Sequence, residues 1–211
     1  MPAGAGPDPG AGIPQTARDA ILRAGQWMDA QGWVPATAGN LSVRLAGPRL
    51  AITRSGVHKG RMDASSVIEV DLEGRAIDPD CRPSAETGMH CQIYATFAGI
   101  GAVLHGHSVA NTVLSLPAMT TLRLSGYELL KALGLPSHES TLDLPVFDND
   151  QDIPRLCRAV APALRPDLPG YLIRGHGIYA WGRDMAQAMD RLEALEFLLR
   201  CELTRTGRSP T

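Results

Sequence analysis

The stretch from Asn40 to Gly74 constrains the fold more than any other part of the chain. It holds three short β-prone segments, Asn40–Leu45, Leu50–Thr53 and Val67–Asp71, with turn signals at Gly47-Pro48 and Glu73-Gly74. The four-residue link between the first two returns the chain beside itself, whereas a parallel pair needs a crossover of about a dozen residues or more. The first two strands are therefore expected to pair as an antiparallel hairpin. Further strands are expected at Gly101–His107, Leu142–Phe147, Tyr171–Arg174 and Gly177–Trp181, the last two forming a hairpin around Gly175-His176-Gly177.

Helical spacing appears elsewhere. Ala17, Ala20, Ile21, Ala24, Trp27 and Met28 line one face of a helix over Thr16–Ala30. Ser84–Phe97, Val109–Leu116, Gly126–Leu133 and Asp152–Leu164 also read as helices, with Pro154 tolerated in a first turn. The longest runs over Asp184–Thr204. Asp184 is its expected N-cap, and Met185, Ala188, Met189, Leu192, Leu195 and Leu199 form its apolar stripe. Strands and helices alternate too irregularly for a doubly wound parallel sheet. The fold class is α/β, a mixed and mainly antiparallel sheet flanked by helices. One domain over residues 15–205 is expected, between a Gly/Pro/Ala-rich tail at 1–14 and a short tail at 206–211.

Composition narrows the function. Hydrophobic residues make up 44% of 211 and charged residues 20%, which excludes wholesale disorder. No apolar run approaches the ~18 residues of a membrane span. A net charge of −2 and 5% aromatics argue against a nucleic-acid partner. Cys81, Cys91, Cys157 and Cys201 lack C-x-x-C spacing, and the start of the chain has no apolar signal core. Reduced thiols, packed as small buried hydrophobes, and a cytoplasmic location are expected.

The sharpest chemical signal is His105-Gly106-His107 in an apolar strand. Residues two apart on a strand share a face, so both imidazoles enter one space, as two metal ligands must. The plain alternative is two ordinary histidines on a strand face. His176, between Gly175 and Gly177, is available as a third ligand, which would leave an open, catalytic position on zinc. His58, His90 and His138 fit surface or core roles better. Glu86 and Glu128 are the candidate acid–base carboxylates, although each also suits a helix first turn. The turns around Gly39-Asn40 and Ser55-Gly56, together with Ser84, offer backbone N–H groups and hydroxyls to an anion, or are simply turns.

In order along the chain stand T-A-G-N-L-S-V-R, I-T-R-S-G, P-S-A-E-T-G-M-H, V-L-H-G-H-S and R-G-H-G-I-Y-A-W-G. This order resembles the class II aldolase/adducin family from about Ala17 to Thr204. The resemblance implies an α/β/α sandwich, a homotetramer with active sites near subunit interfaces, and one Zn2+ per subunit on His105, His107 and His176. It implies a catalytic role for Glu86 and a phosphate site at Gly39, Asn40, Ser55, Gly56 and Ser84. Within the family, Gly25–Ala30, Gly126-Tyr127-Glu128-Leu129 and Phe147–Ile153 resemble the members that dehydrate a ketose phosphate in methionine salvage, where Glu128 matches the acid–base group. Gly106 departs from the threonine common in those members. Ala85 departs from the serine frequent in the aldolases. A zinc-dependent sugar-phosphate aldolase or epimerase is the alternative, and a non-catalytic adducin-like module a lesser one.

Overall fold

The computed structural model describes residues 12–207. The strands are β1 (Asn40–Arg44), β2 (Arg49–Thr53), β3 (Val67–Asp71), β4 (Ala102–Gly106), β5 (Thr121–Ser125), β6 (Thr141–Phe147), β7 (Gly170–Ile173) and β8 (Gly177–Gly182). They form one sheet in the order β3-β2-β1-β4-β8-β7-β6-β5. Every neighbouring pair is antiparallel except β6 with β7. The expected mixed, mainly antiparallel sheet is present.

Side-chain alternation puts a separate core on each face. Ala51, Leu104, Ile178 and Ala180 pack with helices α1 (Gln15–Ala30), α3 (Val109–Ser115) and α5 (Met185–Arg205). Ile52, Val103, Tyr179 and Trp181 pack on the other side with α2 (Thr87–Thr96) and α4 (Ile153–Val160). Because helices cover both faces, β4 and β8 are buried along their whole length. This is an α/β/α sandwich. Asp184 caps α5 as expected, accepting from the Gln187 backbone N–H at 2.8 Å.

Four local expectations need correction. β5 was not anticipated: it is an edge strand with only Leu124 buried, so its sequence carries little of a strand's apolar pattern. The helix expected over Gly126–Leu133 is a short 3-10 helix, Glu128–Leu133, stopped by Gly134 at φ +88°. The helix expected over Asp152–Leu164 gives way after Val160 to a 3-10 turn at Ala161–Ala163, where Pro162 has no N–H to continue it. Helix α2 begins at Thr87 rather than Ser84, which leaves Ser84, Ala85 and Glu86 in the turn before it. Of the cysteines, only Cys91 is buried; Cys81, Cys157 and Cys201 are partly exposed, and all four are free thiols. Residues 1–11 and 208–211 of the two expected tails lie outside the described residues. Among the described residues no helix is long and apolar enough to cross a membrane.

Candidate metal centre

β4 lies between β1 and β8, so its backbone is paired on both sides out to His105 and with β8 out to Gly106. That pairing fixes where His105 and His107 emerge, and no Cβ at Gly106 is needed for it. His105 is fully buried and stacks on Tyr179 of β8, with ring centroids 4.1 Å apart. Its Nδ1–H donates to the Ile178 carbonyl at 2.9 Å, which leaves Nε2 as the outward-facing nitrogen. Gly177 makes room for this ring: a β-carbon there would stand 2.7 Å from His105 Cε1 and 2.5 Å from the Gly106 carbonyl oxygen. The β7–β8 turn brings in His176, whose Nδ1–H donates to Asn149 Oδ1 at 3.2 Å.

Glu86 completes the group. One of its carboxylate oxygens is 3.0 Å from His105 Nε2 and the other 3.0 Å from His176 Nε2. One candidate donor atom from each of Glu86, His105, His107 and His176 lies within 4.8 Å of the others. His105 Nε2 is buried and has no partner in hydrogen-bond geometry, although Glu86 is close. A buried nitrogen lone pair costs free energy unless something takes it up. Three imidazoles and a carboxylate around that atom are consistent with a metal site. Burial, reinforced by the neighbouring His105 and His176 rings, lowers the His107 imidazole to about 3, the neutral form that a metal requires. Burial pushes the Glu86 carboxyl up, but His105 and His176 outweigh it and hold Glu86 well below the usual carboxylate range.

Behind Glu86 runs a buried polar chain. Tyr94 OH meets Ser42 Oγ at 2.9 Å, and Ser42 Oγ meets His90 Nδ1 at 2.7 Å. His90 Nε2 contacts Asn40 Oδ1, and the Asn40 amide donates to Glu86 Oε2 at 2.9 Å and to Ser84 Oγ at 3.1 Å. Only one set of directions satisfies every member: each hydroxyl donates onward and His90 donates from Nε2. Burial lowers His90 to about 3, so this ring is neutral. Thus His90, expected in a surface or core role, is a core residue that also orients Glu86 through Asn40.

The cluster sits in a cavity of about 800 Å³. Gly39, Asn40, Ser55, Gly56 and Ser84 all line it with Glu86, His107 and His176. Gly39 adopts φ +77°, and a β-carbon there would meet the His105 carbonyl oxygen at 2.7 Å. The Ser55 N–H donates to the Arg82 carbonyl at 2.9 Å, which ties that turn to the segment bearing Ser84. Glu128 is elsewhere. It lines a separate cavity with Tyr127 and Phe197, its side chain is 71% exposed, and it accepts from Lys131 Nζ at 2.5 Å. The fold of one chain does not bring Glu128 to the histidines, because its 3-10 helix packs on α5. Of the main cavity's residues, Lys59 carried no signal in sequence and Asn149 was legible only as part of the Phe147–Ile153 motif; both reach the site through contacts with segments far away in the chain.

Sheet, flanking helices and histidine–glutamate cluster together define a class. The Class II Aldolase and Adducin N-terminal domain matches residues 19–203, and the chain belongs to that family. It is 58% identical over 187 residues to the methylthioribulose-1-phosphate dehydratase of Gluconobacter oxydans, covering 88% of this chain and 90% of the relative. It is 56% identical over 199 residues to the enzyme of the same name from Granulibacter bethesdensis, covering 91% and 93%. Among solved structures, the L-fuculose-1-phosphate aldolase of Thermus thermophilus superposes with a TM-score of 0.74 at 28% identity, over 93% of this chain and 98% of that one.

Proposed function

We propose that this protein is a lyase that dehydrates 5-methylthioribulose 1-phosphate to 2,3-diketo-5-methylthiopentyl 1-phosphate, a step of methionine salvage. The observation that carries this reading is the Glu86–His105–His107–His176 cluster, set in one cavity with two anion-suited turns, in a chain 58% identical to a dehydratase of that name. The aldolase alternative has weaker support, since the aldolase is only 28% identical. An adducin-like module without catalysis would have no use for an intact set of ligands.

His105, His107 and His176 would hold one Zn2+ per subunit. Bound there, zinc would draw electron density from the substrate's carbonyl and adjacent hydroxyl and so acidify the hydrogen on carbon 3. The remaining steps belong to the chain. Gly39, Asn40, Ser55, Gly56 and Ser84 grip the phosphate and set the carbon chain along the cavity. A carboxylate takes the carbon-3 proton, a carboxylic acid protonates the departing carbon-4 hydroxyl, and the enol left behind tautomerises to the diketone. Glu128 is the acid–base group in this reading and Glu86 its partner beside the metal. Glu128 then has to come from a neighbouring copy, which fits a homotetramer with sites at its interfaces. The cytoplasm, where the four free thiols stay reduced, is the corresponding location.

The test is incubation of the zinc-loaded protein with 5-methylthioribulose 1-phosphate, following diketone and aldol-cleavage products separately. Diketone alone is expected. Glu128→Gln should keep its zinc and lose about 100-fold or more in turnover. Co-expressing it with His176→Ala should restore activity in mixed oligomers. Cleavage products in place of diketone would move the protein to the aldolases.

A further inference from the structure

The chain contains only two lysines, Lys59 and Lys131. Lys131 is on the surface beside Glu128. Lys59 is 2% exposed and lines the cavity of the histidine cluster. Its Nζ donates to the Thr37 carbonyl at 2.7 Å and to the Val57 carbonyl at 2.8 Å. Among the described residues no carboxylate lies within ion-pair distance of it. A buried ammonium without a counter-charge is expensive, and two neutral carbonyls offset only part of the cost.

Its surroundings hold it in place. The Lys59–Arg61 turn packs on α1 at two glycines: a β-carbon on Gly25 would meet the Lys59 carbonyl oxygen at 2.9 Å, and one on Gly60 would run into the Asp29 carboxylate. Thr37 and Val57 flank the two turns assigned to the phosphate, Gly39-Asn40 and Ser55-Gly56. A cation that draws their carbonyls to one point ties the two turns together. It also leaves the ammonium's remaining N–H and its charge unspent at the edge of the cavity.

We propose that Lys59 is the buried cation of the anion-binding end of this cavity, beside the exposed Arg54 on its rim, clamping both turns by their carbonyls and supplying counter-charge to a phosphate monoester dianion. The free protein then carries a buried positive charge with no carboxylate among the described residues at ion-pair distance, which a bound dianion would neutralise. Burial lowers the Lys59 ammonium to about 8, with Glu86 pulling the other way, so it is mostly charged at neutral pH. Lys59 is a binding and positioning residue; the bond-making chemistry stays with the carboxylates.

This inference rests on the phosphorylated-substrate reading, and the experiment separates the two. Lysine labelled with 13C at Cε gives two signals in the zinc-loaded protein, with Lys131 as internal control. Titration with inorganic phosphate should shift the Lys59 signal and leave Lys131 unmoved. Lys59→Met should keep its zinc and weaken phosphate binding on the order of tenfold or more, the scale of one charge-assisted hydrogen bond. Its loss with the phosphorylated ketose should fall on KM rather than kcat. A stationary Lys59 signal while phosphate binds, or an unchanged phosphate Kd in Lys59→Met, overturns the inference, as does the absence of any phosphate binding. Should Lys59→Met fail to fold, the wild-type titration alone decides. A protein that makes the diketone without a Lys59 response keeps the dehydratase reading and loses this one. The reverse outcome keeps Lys59 and discards the substrate.

Discussion

Replacing Glu196 by Gln should make the protein more stable at neutral pH and remove part of its pH dependence. Glu196, in the middle of α5, is fully buried. Its carboxyl accepts from Ser108 Oγ at 2.5 Å and Asn111 Nδ2 at 2.8 Å, the residues that open α3 just after His107. Burial lifts this carboxyl from 4.5 to about 7 in spite of those hydrogen bonds. The folded state therefore holds a proton that the unfolded chain releases between about pH 4.5 and 7. The associated stability is complete below 4.5, falls as pH rises, and is gone above about 7. At roughly 1.4 kcal/mol per unit the full span is about 3 kcal/mol. Glutamine keeps the shape and both partners without the charge, its Oε1 accepting from Asn111 Nδ2 and its Nε2–H donating to Ser108 Oγ as the protonated carboxyl would. His90 and His107, both lowered to about 3, impose the opposite trend, since neutral buried imidazoles lose stability as pH falls below about 6.5. The quantity to measure is thus the difference between variant and wild type. Urea unfolding of both proteins at pH 5, 6, 7 and 8 and matched metal content should give a difference that grows by about 2 kcal/mol or more in favour of the variant. A difference that stays flat across this range would refute the reasoning.

Gly177→Ala should fold but hold metal at least about tenfold more weakly, because its β-carbon meets both His105 and the Gly106 carbonyl; chelator competition measures this, and wild-type affinity would show that β8 yields without moving the ring. His90→Leu should cost about 2–5 kcal/mol, since Ser42 Oγ and Asn40 Oδ1 lose a buried partner. A melting temperature within a degree of wild type would mean that the polar chain behind Glu86 re-pairs.

Much of this protein is written locally. β3 has the boundaries read from the sequence, and the Asp184 cap opens the long terminal helix as expected, because short apolar alternations and side-chain caps depend on neighbours only a few residues away. The pairing of His105 with His107 is legible for the same reason, as strand periodicity alone puts them on one face. The third histidine could be read from its glycines, which mark a tight turn wherever it falls.

What the tertiary structure alone decided are the meetings between segments distant in sequence. Glu86 looked like a helix first-turn carboxylate, yet α2 starts one residue later, and the turn before it aims the side chain at His105 and His176. Asn40 reaches that carboxylate only because β1 pairs with β4 and places it opposite His105. Lys59 gains its two carbonyls when the turns before β1 and after β2 converge. Glu128 shows the limit from the other side: its motif resembles that of an acid–base group, but one chain's packing leaves it exposed in another cavity. Periodicity and capping act over a few residues, while a site is built from long-range strand pairing, which sequence pattern constrains only through which faces must be buried.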